Sequence, residues 1–102
     1  MNEQNVVNLL LVDDHPLVRD GLRARLETIP HFKIVGEAGT AEDALRMAAM
    51  LPISLILMDI NLGATSGINL TARFGKEYPQ IAVIMLSMHN KTEYVTLAIQ
   101  AG

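Results

Sequence analysis

Four polar side chains in this 102-residue chain stand where apolar runs end: Asp13 and Asp14 after Val6–Val12, Asp59 after Leu55–Met58, and Ser87 after Ile81–Leu86. Carboxylates brought together repel one another and are hard to keep ionised at once, so a hard divalent cation is their natural guest. Mg²⁺ suits such a site best, because it takes oxygen ligands, keeps several waters and is commonly held by one or two carboxylates plus phosphate oxygens. A backbone carbonyl from the turn after Asp59, such as that of Asn61, would complete the set. A carboxylate beside a phosphate-binding metal can also act as a nucleophile and form an aspartyl-phosphate. Asp59 is the candidate for that role, and Ser87 offers its hydroxyl to a phosphoryl oxygen.

The elements that would gather these residues follow from hydrophobic patterning. Leu55-Ile56-Leu57-Met58 is apolar without alternation and is followed by a turn-rich segment (Asn61, Gly63, Ser66, Gly67), which predicts a strand buried on both faces at the centre of a parallel sheet. Val6–Val12 and Ile81–Leu86 predict two more buried strands, whereas Phe32–Ala38, carrying Lys33 and Glu37, has the pattern of an edge strand. Between them, helical spacing appears in Val18, Leu22, Leu26 and Ile29 after Pro16, with Asp14 or His15 near the cap and Pro30 as the stop. Thr40 and Asp43 approximate a capping box for a helix carrying Leu45, Ala48 and Ala49 that ends at Leu51-Pro52. Ser66 can cap a helix from Gly67 to about Glu77 with a weaker apolar pattern of Ile68, Leu70, Ala72 and Phe74, and Asn90 with Glu93 opens a last helix with Val95, Ala98 and Ile99 inward. The order is βαβαβαβα. Right-handed crossovers then place the first, third and fourth strands side by side with their carboxyl ends on one rim, where open α/β sheets hold their ligands.

Composition narrows the functional classes. Half the residues are apolar and the length suits one domain, so a globular fold is expected. The absence of cysteine removes disulfides and thiolate metal sites. The polar N-terminus does not read as a secretory signal, and the longest apolar run is far short of the roughly 20 residues a membrane span needs. A cytoplasmic protein that does not engage membrane is expected. The net charge is −3 with eight Lys and Arg scattered along the chain, so this segment is not expected to bind DNA by itself. His15 and His89 are expected to be helix-start and loop residues, because a hard cation prefers oxygen. His31 reads as plain surface, and the six methionines as core filler.

Val12-Asp13-Asp14-His15-Pro16, Met58-Asp59-Ile60-Asn61 with Gly67 eight residues after the acid, and Leu86-Ser87-Met88-His89 together resemble the receiver domain of two-component response regulators. The likeness runs from about Val7 to Gly102. The Asp-Asp-His-Pro start, the Leu-Ser-Met-His segment and the closing Ala-Ile-Gln-Ala-Gly are most similar to receivers that precede a LuxR-type helix-turn-helix output domain. The resemblance implies a doubly wound, flavodoxin-like (CheY-like) α/β fold with a parallel sheet, four of its usual five strands present. It implies that Asp13 and Asp14 bind Mg²⁺ directly or through water, that the Asn61 carbonyl is a metal ligand, that Asp59 takes a phosphoryl group from a partner histidine kinase, and that Ser87 moves toward the phosphate as the switch. Such a module signals by conformational change and is not an enzyme in the usual sense; transcriptional control and DNA contact would belong to an output domain outside this chain.

Two departures from the family pattern stand out. Leu62-Gly63 occupies the place where Met-Pro usually follows the phosphoacceptor, so a looser loop is expected there. The family's lysine on a fifth strand has no counterpart up to Gly102, so residues 1–102 read as a receiver cut short of its last strand and helix. An apolar strand at 81–86 would then lie at the sheet's edge, open to pairing with a second copy. Two other functions compete with the phosphoacceptor. A degenerate interaction module would never be phosphorylated. An aspartate-nucleophile phosphohydrolase would want a second acid two residues after the nucleophile, where this chain has Asn61.

Overall fold

Strand β1, Val7–Val12, carries the most thoroughly buried run among the described residues: Leu9, Leu10 and Leu11 are fully enclosed because apolar groups cover both faces. In this computed structural model residues 6–62 and 65–86 are described, with Asn61 and Thr65 described in their backbone only. From β1 the chain passes through α1 (Pro16–Leu26), β2 (Phe32–Ala38), α2 (Ala41–Met50), β3 (Leu55–Asp59), the short strands β4 (Asn61–Leu62) and β5 (Thr65–Ser66), α3 (Gly67–Glu77) and β6 (Ala82–Leu86). Four strands form one parallel sheet in the order β2-β1-β3-β6. This is the doubly wound, flavodoxin-like α/β arrangement, with the first, third and fourth long strands adjacent and Phe32–Ala38 at an edge, as patterning predicts. The expected helix after Asn90 lies outside the described residues.

Side-chain alternation divides the core into two layers. Leu9, Leu11 and Leu57 pack with Leu22 and Leu26 of α1 on one face. Leu10, Val12, Ile56 and Met58 pack on the other with Ala44 and Ala48 of α2 and Leu70 and Phe74 of α3. Asn8, the one polar residue inside the β1 run, uses its polarity to fix the approach to β3: its side-chain Nδ2 donates to the Pro52 carbonyl at 2.7 Å, and its own carbonyl accepts from the Ser54 amide at 2.8 Å.

Several helix details differ from the sequence expectation. Helix α1 ends at Leu26, and Ile29 falls in the turn after it, because the residue before a proline is disfavoured in helical geometry and the chain must reverse into β2. In α2 the inner pair is Ala44 and Ala48, four apart, so Ala49 points to solvent. The Thr40 hydroxyl accepts from the Asp43 amide, but the Asp43 carboxylate turns to Arg46 at 2.6 Å. In α3 the buried positions are Gly67, Leu70 and Phe74, while Ile68 is 59% exposed and Ala72 also faces out. His31 is not plain surface: half-buried, it meets Phe32 edge-on at 5.2 Å, and its carbonyl accepts from the Val7 amide. Met58 is core as expected, but Met50 is largely exposed. No helix among the described residues is long and apolar enough to cross a membrane.

Among the described residues Phe74 is the largest fully buried side chain, and with Leu70 it ties α3 to the sheet. Phe74→Ala is expected to lower unfolding stability by about 3–5 kcal/mol, read by urea denaturation.

Candidate functional site

Asp13 and Asp59 continue the side-chain alternation of β1 and β3 beyond their apolar runs. Asp13 follows the parity of Leu9 and Leu11, and Asp59 that of Leu55 and Leu57, so both carboxylates leave the sheet on the side of α1. They are 3% and 1% exposed, an unusual state for acids in a sheet whose other central positions are apolar. The carboxyl end of β1 is further pinned by the Asp13 amide, which donates to the Ala38 carbonyl of β2 at 3.0 Å.

His15 enters the same cluster from the start of α1. It is the N-cap residue, as expected, but its side chain makes no cap bond; the Asp13 Oδ1 accepts its amide at 2.9 Å instead. The imidazole Nδ1 lies 3.0 Å from Asp13 Oδ1 in hydrogen-bond geometry, 2.8 Å from Asp14 Oδ1 and 4.0 Å from Asp59 Oδ2. Asp14 Oδ1 is shielded from solvent and, despite that proximity, is not aligned to accept a hydrogen bond. Asp13, Asp14, His15 and Asp59 thus each offer one ligand atom, all within 4.8 Å of one another. Three carboxylates around a shielded, unsatisfied oxygen fit a small hard cation, which would answer both their mutual repulsion and that oxygen's missing partner. Sequence reasoning missed the approach of the His15 ring, 46% exposed, to the acids; its place two residues after Asp13 was the available signal.

Past Asp59 the chain does not form a simple turn. Asn61–Leu62 pairs antiparallel with Thr65–Ser66, and Leu62, 2% exposed, inserts into the core beside Leu70 and Phe74. The loop expected to be looser is therefore anchored at Leu62, while Gly63 lies outside the described residues. The Ser66 hydroxyl accepts from the amides of Ile68 and Asn69, capping α3 as predicted. Gly67 explains its own spacing from the acid. Its amide donates to the Ile60 carbonyl at 2.8 Å, and a Cβ there would fall 2.0 Å from the Asp59 carbonyl oxygen. The start of α3 rests directly on the Asp59 peptide. Of the predicted site residues, Asp13, Asp14 and Asp59 are brought together, Asn61 is placed at the start of β4 opposite Ser66, and Ser87 and His89 lie outside the described residues.

A family model described as the response regulator receiver domain matches residues 9–102. The transcriptional regulatory protein MctR of Rhizobium johnstonii is 42% identical over 102 residues, taking in 100% of this chain and 48% of that protein. The response regulator UvrY of Escherichia coli strain K12 is 36% identical over 97 residues, covering 95% of this chain and 44% of UvrY. Among solved structures, the isolated REC domain of RcsB from Salmonella enterica serovar Typhimurium, in the presence of phosphomimetic BeF3−, matches with a TM-score of 0.79 at 25% identity, over 94% of this chain and 72% of that one. The chain spans about half the length of the curated relatives it matches.

Because the obstacle at Gly67 is backbone rather than a flexible side chain, Gly67→Ala cannot be absorbed by a rotamer change. It is expected to cost about 3 kcal/mol or more in urea denaturation and to shift the amide resonances of Asp59 and Ile60 in the fraction that folds.

Proposed function

We propose, on the premise that this chain belongs to the response regulator receiver domains, that Asp59 is the phosphoacceptor and that Asp13, Asp14 and Asp59, with the Asn61 carbonyl, hold Mg²⁺ beside it. The observation that carries this reading is the meeting of three carboxylates at the carboxyl ends of two central strands, two of them almost wholly buried. The donor is an N-phosphorylated imidazole of a histidine kinase. A carboxylate oxygen of Asp59 attacks the phosphorus; the new O–P bond forms as the N–P bond breaks, and the imidazole nitrogen leaves with the bonding pair and is protonated by solvent. The product is an acyl phosphate on Asp59. Mg²⁺, when bound, would neutralise charge on the phosphoryl oxygens during transfer.

The protein's own part is to aim and to desolvate. The end of β3 fixes Asp59 between β1 and β6, with the Ile60 amide donating to the Leu86 carbonyl at 3.1 Å to extend the pairing past the acid. The start of α3 closes over its peptide at Gly67. Ser87, next after β6, is assigned the hydroxyl that senses the phosphoryl group, and through it the state of Asp59 is passed to contacts elsewhere. Control of transcription, and any contact with DNA, is assigned to an output domain outside residues 1–102. Pairing with a second copy through the 81–86 strand is part of the same proposal: β6 is last in the strand order of the described sheet, with Ala82 exposed and Val83, Ile84 and Met85 only partly buried.

Incubation with Mg²⁺ and acetyl phosphate, read by intact mass, is expected to add one phosphoryl group to the wild-type chain and none to Asp59→Asn or without magnesium. A folded wild-type chain that binds Mg²⁺ but gains no mass would trace the defect to the family's lysine, which has no counterpart up to Gly102; failure also in a longer chain that supplies the next strand would make this a non-phosphorylated interaction module. Light scattering across a concentration series is expected to show a dimer; a strictly monomeric species at the highest concentration would refute pairing through the strand.

A further inference from the structure

Arg19 is anchored in a way that phosphoryl transfer does not require. From α1 its Nη1 donates to the backbone carbonyl of Asp13, and its Nε donates to Glu37 Oε1 of β2 at 3.3 Å. The second oxygen of Glu37 accepts from Arg23 Nη1 at 2.7 Å, one turn further along α1, and Arg23 in turn binds Asp20 at 2.7 Å. Arg19 and Glu37 are only 20% and 21% exposed, so this is a shielded latch rather than a solvated surface pair. Gly39 leaves it room, since a Cβ there would stand 3.2 Å from Arg19 Nη1. The amide of Asp13 is already taken by Ala38, so Asp13 has both its backbone N–H and its C=O tied down.

We propose that Arg19, held in place by Glu37, is a positioning residue for the cation site: it fixes the Asp13 carbonyl and thereby aims the Asp13 and Asp14 carboxylates that converge with Asp59. This rests on the Mg²⁺ reading given above and adds to it a residue that touches neither metal nor phosphate. Its sign separates it from simpler roles. By Coulomb's law a guanidinium beside a cation site opposes the cation, so deleting the charge should tighten binding. A purely structural role would lower the melting temperature and leave affinity unchanged. Positioning alone makes removal of a positive charge weaken the binding of another positive charge.

The test is a Mg²⁺ titration of the 102-residue chain followed by amide chemical shifts, with a thermal melt of each variant. Arg19→Ala is expected to weaken Mg²⁺ binding about tenfold, the scale on which groups that orient metal ligands act. Arg19→Lys is expected to do the same, because it keeps the charge but one ammonium cannot reproduce the planar fork to the Asp13 carbonyl and Glu37. Glu37→Gln, which leaves an acceptor for Arg19 but removes the charge that holds it, is expected to weaken binding less. Arg73→Ala, which breaks an exposed pair with Glu77 on α3, is expected to leave affinity unchanged. Unchanged or tighter binding in either Arg19 variant, or the same weakening in Arg73→Ala, would overturn the proposal. A folded wild-type chain with no saturable Mg²⁺ binding would be a different failure, removing the cation site itself.

Discussion

Two carboxylates at 3% and 1% exposure cannot sit at the rim of an apolar sheet unless the surrounding backbone holds them there. Much of the local architecture answers that constraint. Ala38 receives the Asp13 amide, Arg19 grips the Asp13 carbonyl, His15 brings an imidazole within reach of the acids, and Gly67 gives up a side chain so that α3 can begin against the Asp59 peptide. These contacts join β2, α1 and α3 to the ends of β1 and β3. The site is therefore not an addition to the fold; it is where the fold's connections are concentrated.

The apolar layers serve the same end less visibly. Leu9, Leu11 and Leu57 against α1, and Leu10, Val12, Ile56 and Met58 against α2 and α3, clamp β1 and β3 from both faces. Two strands so clamped cannot slip by one residue without turning every leucine to the wrong layer. The relative position of Asp13 and Asp59 is thus set by hydrophobic packing well below the rim, and the polar contacts at the rim only refine it.

The strands were legible because an apolar run without alternation has few alternatives in a chain of this length, and their order followed from the handedness of crossovers. The acid cluster was legible for the same reason: Asp13 and Asp59 are the first polar residues after such runs. Helix faces were harder to read. Ile68 and Ala49 are apolar by type but turn outward, since their helices meet the sheet through rows four residues apart, at Leu70 and Phe74 and at Ala44 and Ala48. What the sequence could not show were contacts joining distant segments through long side chains or backbone. Arg19 with Glu37 and Asn8 with Pro52 depend on registers fixed only once the sheet is built. The spacing of Gly67 from Asp59 was visible as a motif, but its cause, a Cβ 2.0 Å from a carbonyl oxygen, belongs to the folded chain.

The strand order also bears on how the chain is made. β1 is made before the other strands of its sheet yet lies inside it, with β2 on one side and β3 on the other. Pairing with β2 becomes possible once Ala38 has emerged, but the other edge of β1, lined by Leu9 to Val12, stays open until Leu55–Asp59 has been synthesised. For that interval the nascent chain carries an apolar template able to pair with any strand that passes. Completion of β3 closes that edge and brings Asp59 to Asp13 in the same event, and the open apolar edge passes to β3 until Ala82–Leu86 has been synthesised.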